Sequence, residues 1–136
     1  MSANEARPKI LMVDDEPDFQ ALVRRWLEPE YETLFLPDGG GLMRVAAEAR
    51  PAAVIMDVVL PGEDGLELCR RLHADARFKD LPVLFLTGRR DVEDYLKSVC
   101  SGGAAYLAKP VGPKQLREAL KQLLPEPEFE TPGAGD

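Results

Sequence analysis

The chain has 136 residues, with 24 Asp and Glu against 17 Lys and Arg, a net charge of −7 and a 45% share of hydrophobic residues. That length suits one domain with a single real core, and the mixture of apolar and charged residues excludes a wholly disordered chain. The acidic balance argues against direct binding to nucleic acid or to an anionic membrane, and leaves a cation or a basic partner open.

Residues 1 to 8 read as a flexible polar leader without the apolar core of a signal peptide. "KILMV" (9–13) predicts a first strand. In "PDFQALVRRWLE", Phe19, Leu22, Val23, Trp26 and Leu27 recur at i, i+3, i+4, i+7 and i+8, which predicts a helix burying that face, with Trp26 as core or as a lid against a sheet. "YETLFL" (31–36) predicts a second, weaker strand, and "GLMRVAAEA" (41–49) a short helix. The intervening "DGGG" (38–41) follows the second strand rather than the first and lacks the lysine of a phosphate-binding loop, so it reads as a plain loop.

"AAVIMD" (52–57) is the third expected strand, and the turn-like "PGEDG" follows soon after it. "GLELCRRLHAD" (65–75) predicts a helix on which His73 is a surface or half-buried residue. "PVLFLT" (82–87) is the fourth strand, Val92, Tyr95, Leu96, Val99 and Cys100 keep helical spacing, and "AAYLA" (104–108) is the fifth strand. Leu116, Ala119, Leu120, Leu123 and Leu124 mark the buried face of a last helix whose first turn suits Pro113. "PEPEFETPGAGD" (125–136) reads as a flexible tail or linker. Cys69 and Cys100 sit in amphipathic patterns as buried thiols, and with a single histidine a zinc site has little to draw on. The cysteine usage and the lack of a membrane-length apolar run point to a reducing cytoplasm.

Strict alternation of strand and helix predicts an α/β fold, a doubly wound five-stranded parallel sheet with five helices over 9–124. Ligands of such sheets bind beyond the carboxyl ends of the strands, where the strand order reverses. The expected strand ends bring Asp14, Asp15 and Glu16, then Asp57, then Thr87 and Gly88, then Lys109 and Pro110 to one rim. Clustered carboxylates raise one another's pKa unless a cation neutralises them, and hard oxygens suit Mg²⁺. A carboxylate beside such a cation can attack phosphorus to form an acyl phosphate, with Lys109 as a point charge and Thr87 as a hydrogen-bond donor to the phosphoryl oxygens.

Taken singly, each residue has a plainer reading. Asp14 and Asp15 suit a helix N-terminus, Asp57 a strand-end turn, Thr87 a strand end, Lys109 a solvated lysine and Tyr106 ordinary packing. Only their convergence is specific.

The set "VDDE", "MDVVLPGEDG", "FLTG" and "YLAKP" resembles the receiver domain of two-component response regulators, the chemotaxis-regulator fold, over about residues 9 to 124. The resemblance implies the flavodoxin-like strand order 2-1-3-4-5. It implies Asp57 as phosphoacceptor, and an acidic Mg²⁺ pocket of Asp14 and Asp15, with Asp15 the closer ligand. Asp57 itself and the Val59 backbone carbonyl would complete the protein's share of the metal shell. Thr87 and Lys109 would contact the phosphoryl group, Thr87 and Tyr106 would be the switch pair, and the Lys109–Pro110 peptide would be cis.

The implied phosphodonor is a sensor histidine kinase or a histidine phosphotransfer protein. The implied readout is a changed face of the fourth helix, fifth strand and fifth helix, passed to an output partner or to an effector domain beyond the tail. The domain would assist only its own phosphotransfer and dephosphorylation. Gly88 stands where alanine is more usual, and Ala104 and Ala105 stand where acidic residues are common, which disfavours the charged dimer of the DNA-binding branch. The resemblance also implies that Arg89 and Val59 lie where the family tunes access of hydrolytic water.

The rival reading is a receiver-like interaction module that works without phosphorylation. Enzymes on the same fold fit poorly. A haloacid-dehalogenase-like phosphatase wants an aspartate where Val59 stands, and in place of a flavodoxin-like phosphate loop the chain has "DDEPD", which repels phosphate.

Overall fold

The computed structural model describes residues 7–88 and 104–124; the expected helix over 92–100, with Arg89, Arg90 and Cys100, lies outside the described residues. In chain order the elements are β1 (Lys9–Val13), α1 (Pro17–Leu27), β2 (Glu32–Leu36), α2 (Leu42–Ala49) and β3 (Ala53–Asp57). Then come β4 (Val59–Leu60), β5 (Glu63–Asp64), α3 (Gly65–Ala74), β6 (Val83–Thr87), β7 (Ala104–Ala108) and α4 (Pro113–Leu123). The five long strands form one parallel sheet in the order β2-β1-β3-β6-β7, which is the expected 2-1-3-4-5.

Side-chain alternation explains the layers. Successive residues of a strand point to opposite faces. Leu11 and Val13 of β1, Val54 and Met56 of β3, and Val83 and Phe85 of β6 pack on one face with Leu42 and Ala46 of α2 and Leu68 and Leu72 of α3. Their neighbours Ile10, Met12, Ala53, Ile55, Leu84 and Leu86 pack on the other face with Val23 and Leu27 of α1 and Leu116 and Leu120 of α4. Both sides of β3 and β6 are therefore dry, which is why those strands read as unbroken apolar runs.

Helix boundaries follow local chemistry. Pro17 and Pro113 open α1 and α4, where a missing N–H costs nothing. The Asp64 side chain accepts from the Leu66 N–H at 2.9 Å and caps α3.

Three local expectations change. "DGGG" is a 3₁₀ turn over Gly39–Gly41, with Asp38 accepting from Gly40 N–H at 2.8 Å, and it runs straight into α2. The "VLPGED" stretch forms an antiparallel pair, Val59 opposite Asp64 and Leu60 opposite Glu63. Pro61 and Gly62 close it, with Gly62 in the left-handed region at φ 67°, as the second central residue of a type II turn requires. Leu22, assigned to the buried face of α1, is 42% exposed because the buried stripe centres on Val23 and Leu27; Leu22 flanks it and lines an open groove toward Phe35 of the edge strand β2. Among the described residues no helix is long and apolar enough to cross a membrane.

Candidate functional site

The site is built where four of the parallel strands stop. Backbone pairing runs one residue past the strand ends: Asp14 N–H donates to Leu36 O at 3.0 Å, and Lys109 N–H to Thr87 O at 2.7 Å. These side chains therefore leave from a fixed scaffold, not from a loose loop. Asp14 is fully buried and Asp57 nearly so, whereas Asp15 is exposed. One carboxylate oxygen from each of the three lies within 4.8 Å of the others.

The carboxylates are aimed by amides. Asp14 Oδ1 accepts from Glu16 N–H at 2.8 Å, and Asp57 Oδ1 accepts from Val59 N–H at 3.1 Å. Each leaves its Oδ2 toward Lys109, whose Nζ lies 3.2 Å from Asp57 Oδ2 and 3.5 Å from Asp14 Oδ2. The first of these is a hydrogen bond. The second is an ion pair only, so Asp14 Oδ2 is buried without a hydrogen bond. Glu16 Oε1, 3.8 Å from Nζ, adds a third and mostly exposed carboxylate.

The electrostatics follow from burial and from this charge pattern. Desolvation pushes the Asp14 carboxyl above its ordinary range, against the Glu16 amide and Lys109, and the Asp57 and Glu16 charges push it further up. Burial works against the Lys109 ammonium, but the Asp57, Asp14 and Glu16 carboxylates outweigh it and leave its pKa raised. Lys109 stays charged and is the local counter-ion of the cluster.

The floor of the site depends on a glycine. A Cβ at Gly65 would meet Asp57 O at 2.1 Å, so only glycine lets the start of α3 approach the Asp57 backbone. Gly65 N–H also donates to Val58 O at 2.8 Å, holding that approach.

Thr87 is fully buried at the end of β6, beside Lys109 in the chain of backbone pairing. Tyr106 is half-buried on β7, opposite Phe85 and packed on the α2–α3 side. By strand alternation from Phe85, Thr87 leaves the sheet on that same side. The Lys109–Pro110 peptide is cis. The Val59 amide sits against Asp57, and the Val59 side chain is half exposed.

Two neighbours escaped the sequence reading. Phe19, assigned to the helix core, places its ring 5.0 Å from Lys109 Nζ. Gln20 Nε2 donates to Asp14 O at 2.6 Å and to Leu36 O at 3.3 Å, tying α1 to the strand ends. Both follow closely on the acidic run 14–16, on the first turn of α1, and that proximity was the available signal.

Chemically, the cluster offers only hard oxygens, with one buried anionic oxygen that no hydrogen bond satisfies. That donor set fits a small divalent cation and not a soft metal.

Comparisons with known proteins agree with this geometry. Residues 10–121 match the model of the response regulator receiver domain family. The DNA-binding response regulator MtrA of Mycolicibacterium smegmatis is 34% identical over 119 residues, covering 87% of this chain and 51% of that protein. The chain spans about half the length of the curated relatives it matches. Among solved structures, chemotaxis protein CheY4 of Vibrio cholerae superposes with a TM-score of 0.77 at 29% identity, covering 87% of this chain and 99% of that one. A putative response regulator from Chloroflexus aurantiacus also gives 0.77, at 32% identity, covering 86% and 97%. With the family match spanning most of the chain and the acids, threonine and lysine gathered at one rim of the sheet, this protein belongs to the response regulator receiver domains of two-component signalling.

Proposed function

We propose that Asp57 accepts a phosphoryl group from a phosphohistidine, and that this charge change is the signal the domain carries. The observation that supports the reading best is the Asp57 Oδ2–Lys109 Nζ pair at 3.2 Å beside Asp14 and Asp15. Asp57 Oδ2 is the nucleophile: its bond to phosphorus forms as the phosphorus–nitrogen bond breaks and the imidazole leaves. Lys109 moves its point charge from carboxylate to phosphoryl oxygen, and the Thr87 hydroxyl donates to another.

Asp14, Asp15, Asp57 and the Val59 carbonyl would hold Mg²⁺, with Asp15 its closer ligand. The ion would supply charge neutralisation during transfer. The buried and unsatisfied Asp14 Oδ2 supports that assignment.

Thr87 and Tyr106 form the switch pair of this reading: the hydroxyl turns toward the phosphoryl group and the ring fills the space it leaves, a population shift biased by local charge. The donor is a sensor histidine kinase or a histidine phosphotransfer protein. The output is a protein partner or an effector domain elsewhere in a longer chain, with the domain acting in the cytoplasm and not itself on nucleic acid or membrane. Its chemistry is confined to its own phosphotransfer and hydrolysis.

Incubation with acetyl phosphate and Mg²⁺ followed by intact-mass measurement tests the assignment. The wild type gains one phosphoryl adduct and Asp57→Ala gains none. An adduct that persists in the variant refutes Asp57 as acceptor.

A further inference from the structure

The Lys109 ammonium carries much of this site, yet it sits on a flexible four-carbon stem with three rotatable donors. The carboxylates alone define its position loosely: the contacts to Asp57, Asp14 and Glu16 lengthen from 3.2 to 3.5 to 3.8 Å. A fourth contact is of another kind. Nζ lies 5.0 Å from the centroid of the Phe19 ring, within the range in which an aromatic face attracts a cation. The Lys109 side chain is 23% exposed, so water competes for it only in part. Phe19 is the third residue of α1, right after the acidic run, and its own ring is fixed in turn. The single tryptophan of the chain, Trp26, lies two turns along the same helix face, ring centroids 6.1 Å apart and planes at 82°, an edge-to-face pair.

We propose that Phe19 is a positioning residue for phosphotransfer: its ring face holds the Lys109 ammonium over Asp57, and Trp26, in edge-to-face contact with that ring, senses where the ammonium is. The inference rests on the reading of Asp57 as phosphoacceptor. It assigns to the first helix a polarisable contact that an aliphatic residue of similar volume cannot make. Adding the phosphoryl charge draws Nζ toward the new oxygens and changes its distance to the ring. The ring passes that change to Trp26, so the environment of the indole depends on the state of the site.

The test compares wild type, Phe19→Leu and Phe19→Tyr. Leucine keeps the apolar volume without a ring face, and tyrosine keeps the face. Three readouts apply: the rate of adduct formation from acetyl phosphate with Mg²⁺, Trp26 emission with and without beryllium fluoride plus Mg²⁺, and the ring-current displacement of the Lys109 ε-proton resonances. Loss of a partly desolvated cation–π contact corresponds to a rate reduction of about three- to tenfold in Phe19→Leu. Phe19→Tyr restores the rate to near wild type. The emission response and the ε-proton displacement are present in wild type and Phe19→Tyr and lost in Phe19→Leu.

These two spectroscopic signals do not follow from a merely structural role, because unfolding midpoints that match across the variants leave them unexplained. Equal rates and equal Trp26 responses in wild type and Phe19→Leu overturn the inference, as does a tyrosine variant as slow as the leucine one. If wild type itself takes up no phosphoryl group while the ε-protons keep their ring-current displacement, it is the phosphoacceptor reading that fails; if wild type is modified normally and Phe19→Leu equally fast, only the role of Phe19 does.

Discussion

At the scale of single residues, Asp14 shows how a functional site costs stability. Its carboxyl is fully buried, one oxygen has no hydrogen bond, and two further carboxylates stand nearby. Burial raises its pKa in the folded chain above the ordinary carboxyl value. Below that ordinary value both states are protonated and Asp14 has no effect. Between it and the raised folded value the native protein holds a proton that the unfolded chain has released, so the contribution of Asp14 to stability falls as pH rises through this window. Above the raised folded value the whole penalty is present. Asp14→Asn keeps the Oδ1 acceptor for the Glu16 amide and removes the buried charge, while Lys109 retains Asp57 and Glu16. Metal-free Asp14→Asn should therefore be more stable at pH 7 by about 1–2 kcal/mol, since a buried carboxylate whose Oδ2 has only a 3.5 Å ion pair and no hydrogen bond costs more than a neutral amide. Urea unfolding at pH 7 and at a pH below the carboxyl range checks it: the gain shrinks toward zero at the acidic end. A gain that is equal at both pH values contradicts the charge argument.

At the scale of elements, the two-residue period of the strands explains which side chains meet. Ile10, Met12 and Asp14 share one parity, as do Ala53, Ile55 and Asp57, and Ala105, Leu107 and Lys109; the apolar members of all three sets pack on the α1–α4 side of the sheet. Thr87 follows Val83 and Phe85, which pack on the other side with Tyr106. This much was legible beforehand, because apolar strand runs and the polar residues at their ends are properties of short segments. The contact of Phe19 with Lys109 was not, since it joins the first turn of α1 to the end of a strand some ninety residues away, whereas Glu16 was already expected at that rim. The β4–β5 pair escaped because two-residue strands carry no periodicity, and its closing turn was visible only as turn-like composition. Leu22 was misplaced because a helical stripe has flanks, and which flank is covered depends on the neighbours. That distinction is measurable within one helix. Leu27 is fully buried and Leu22 is 42% exposed. Leu27→Ala should cost about 3 kcal/mol, in the range for a buried leucine, and Leu22→Ala under about 0.5 kcal/mol. Comparable losses in the two variants by urea unfolding mean that the groove beside Leu22 is closed in solution.

At the scale of the whole molecule, the clustered acids couple folding to a cation. The oxygens that repel one another are assembled only in the folded chain, because Asp14–Asp15 and Asp57 come from different strands. On the proposed reading that this cluster holds a divalent ion, the ion binds the folded state in preference to the unfolded one, and mass action raises stability by about 2.7 kcal/mol at a hundred times the dissociation constant. For a domain of this size that is an upward shift of about 10 °C in the unfolding midpoint, at about 4 °C per kcal/mol. Mg²⁺ added at constant ionic strength should produce the shift and EDTA should reverse it; NaCl of equal ionic strength should produce little, since it screens the exposed charges but does not bridge the carboxylates. Asp15→Asn separates the two electrostatic effects. It removes an exposed carboxylate proposed as a ligand and one source of repulsion, so the metal-free midpoint should hold or rise while the Mg²⁺-induced shift largely disappears. A clear drop in the metal-free midpoint would show that Asp15 supports the fold by contacts other than the cluster, and an undiminished Mg²⁺ shift in that variant would place the bound ion elsewhere on a surface of net charge −7.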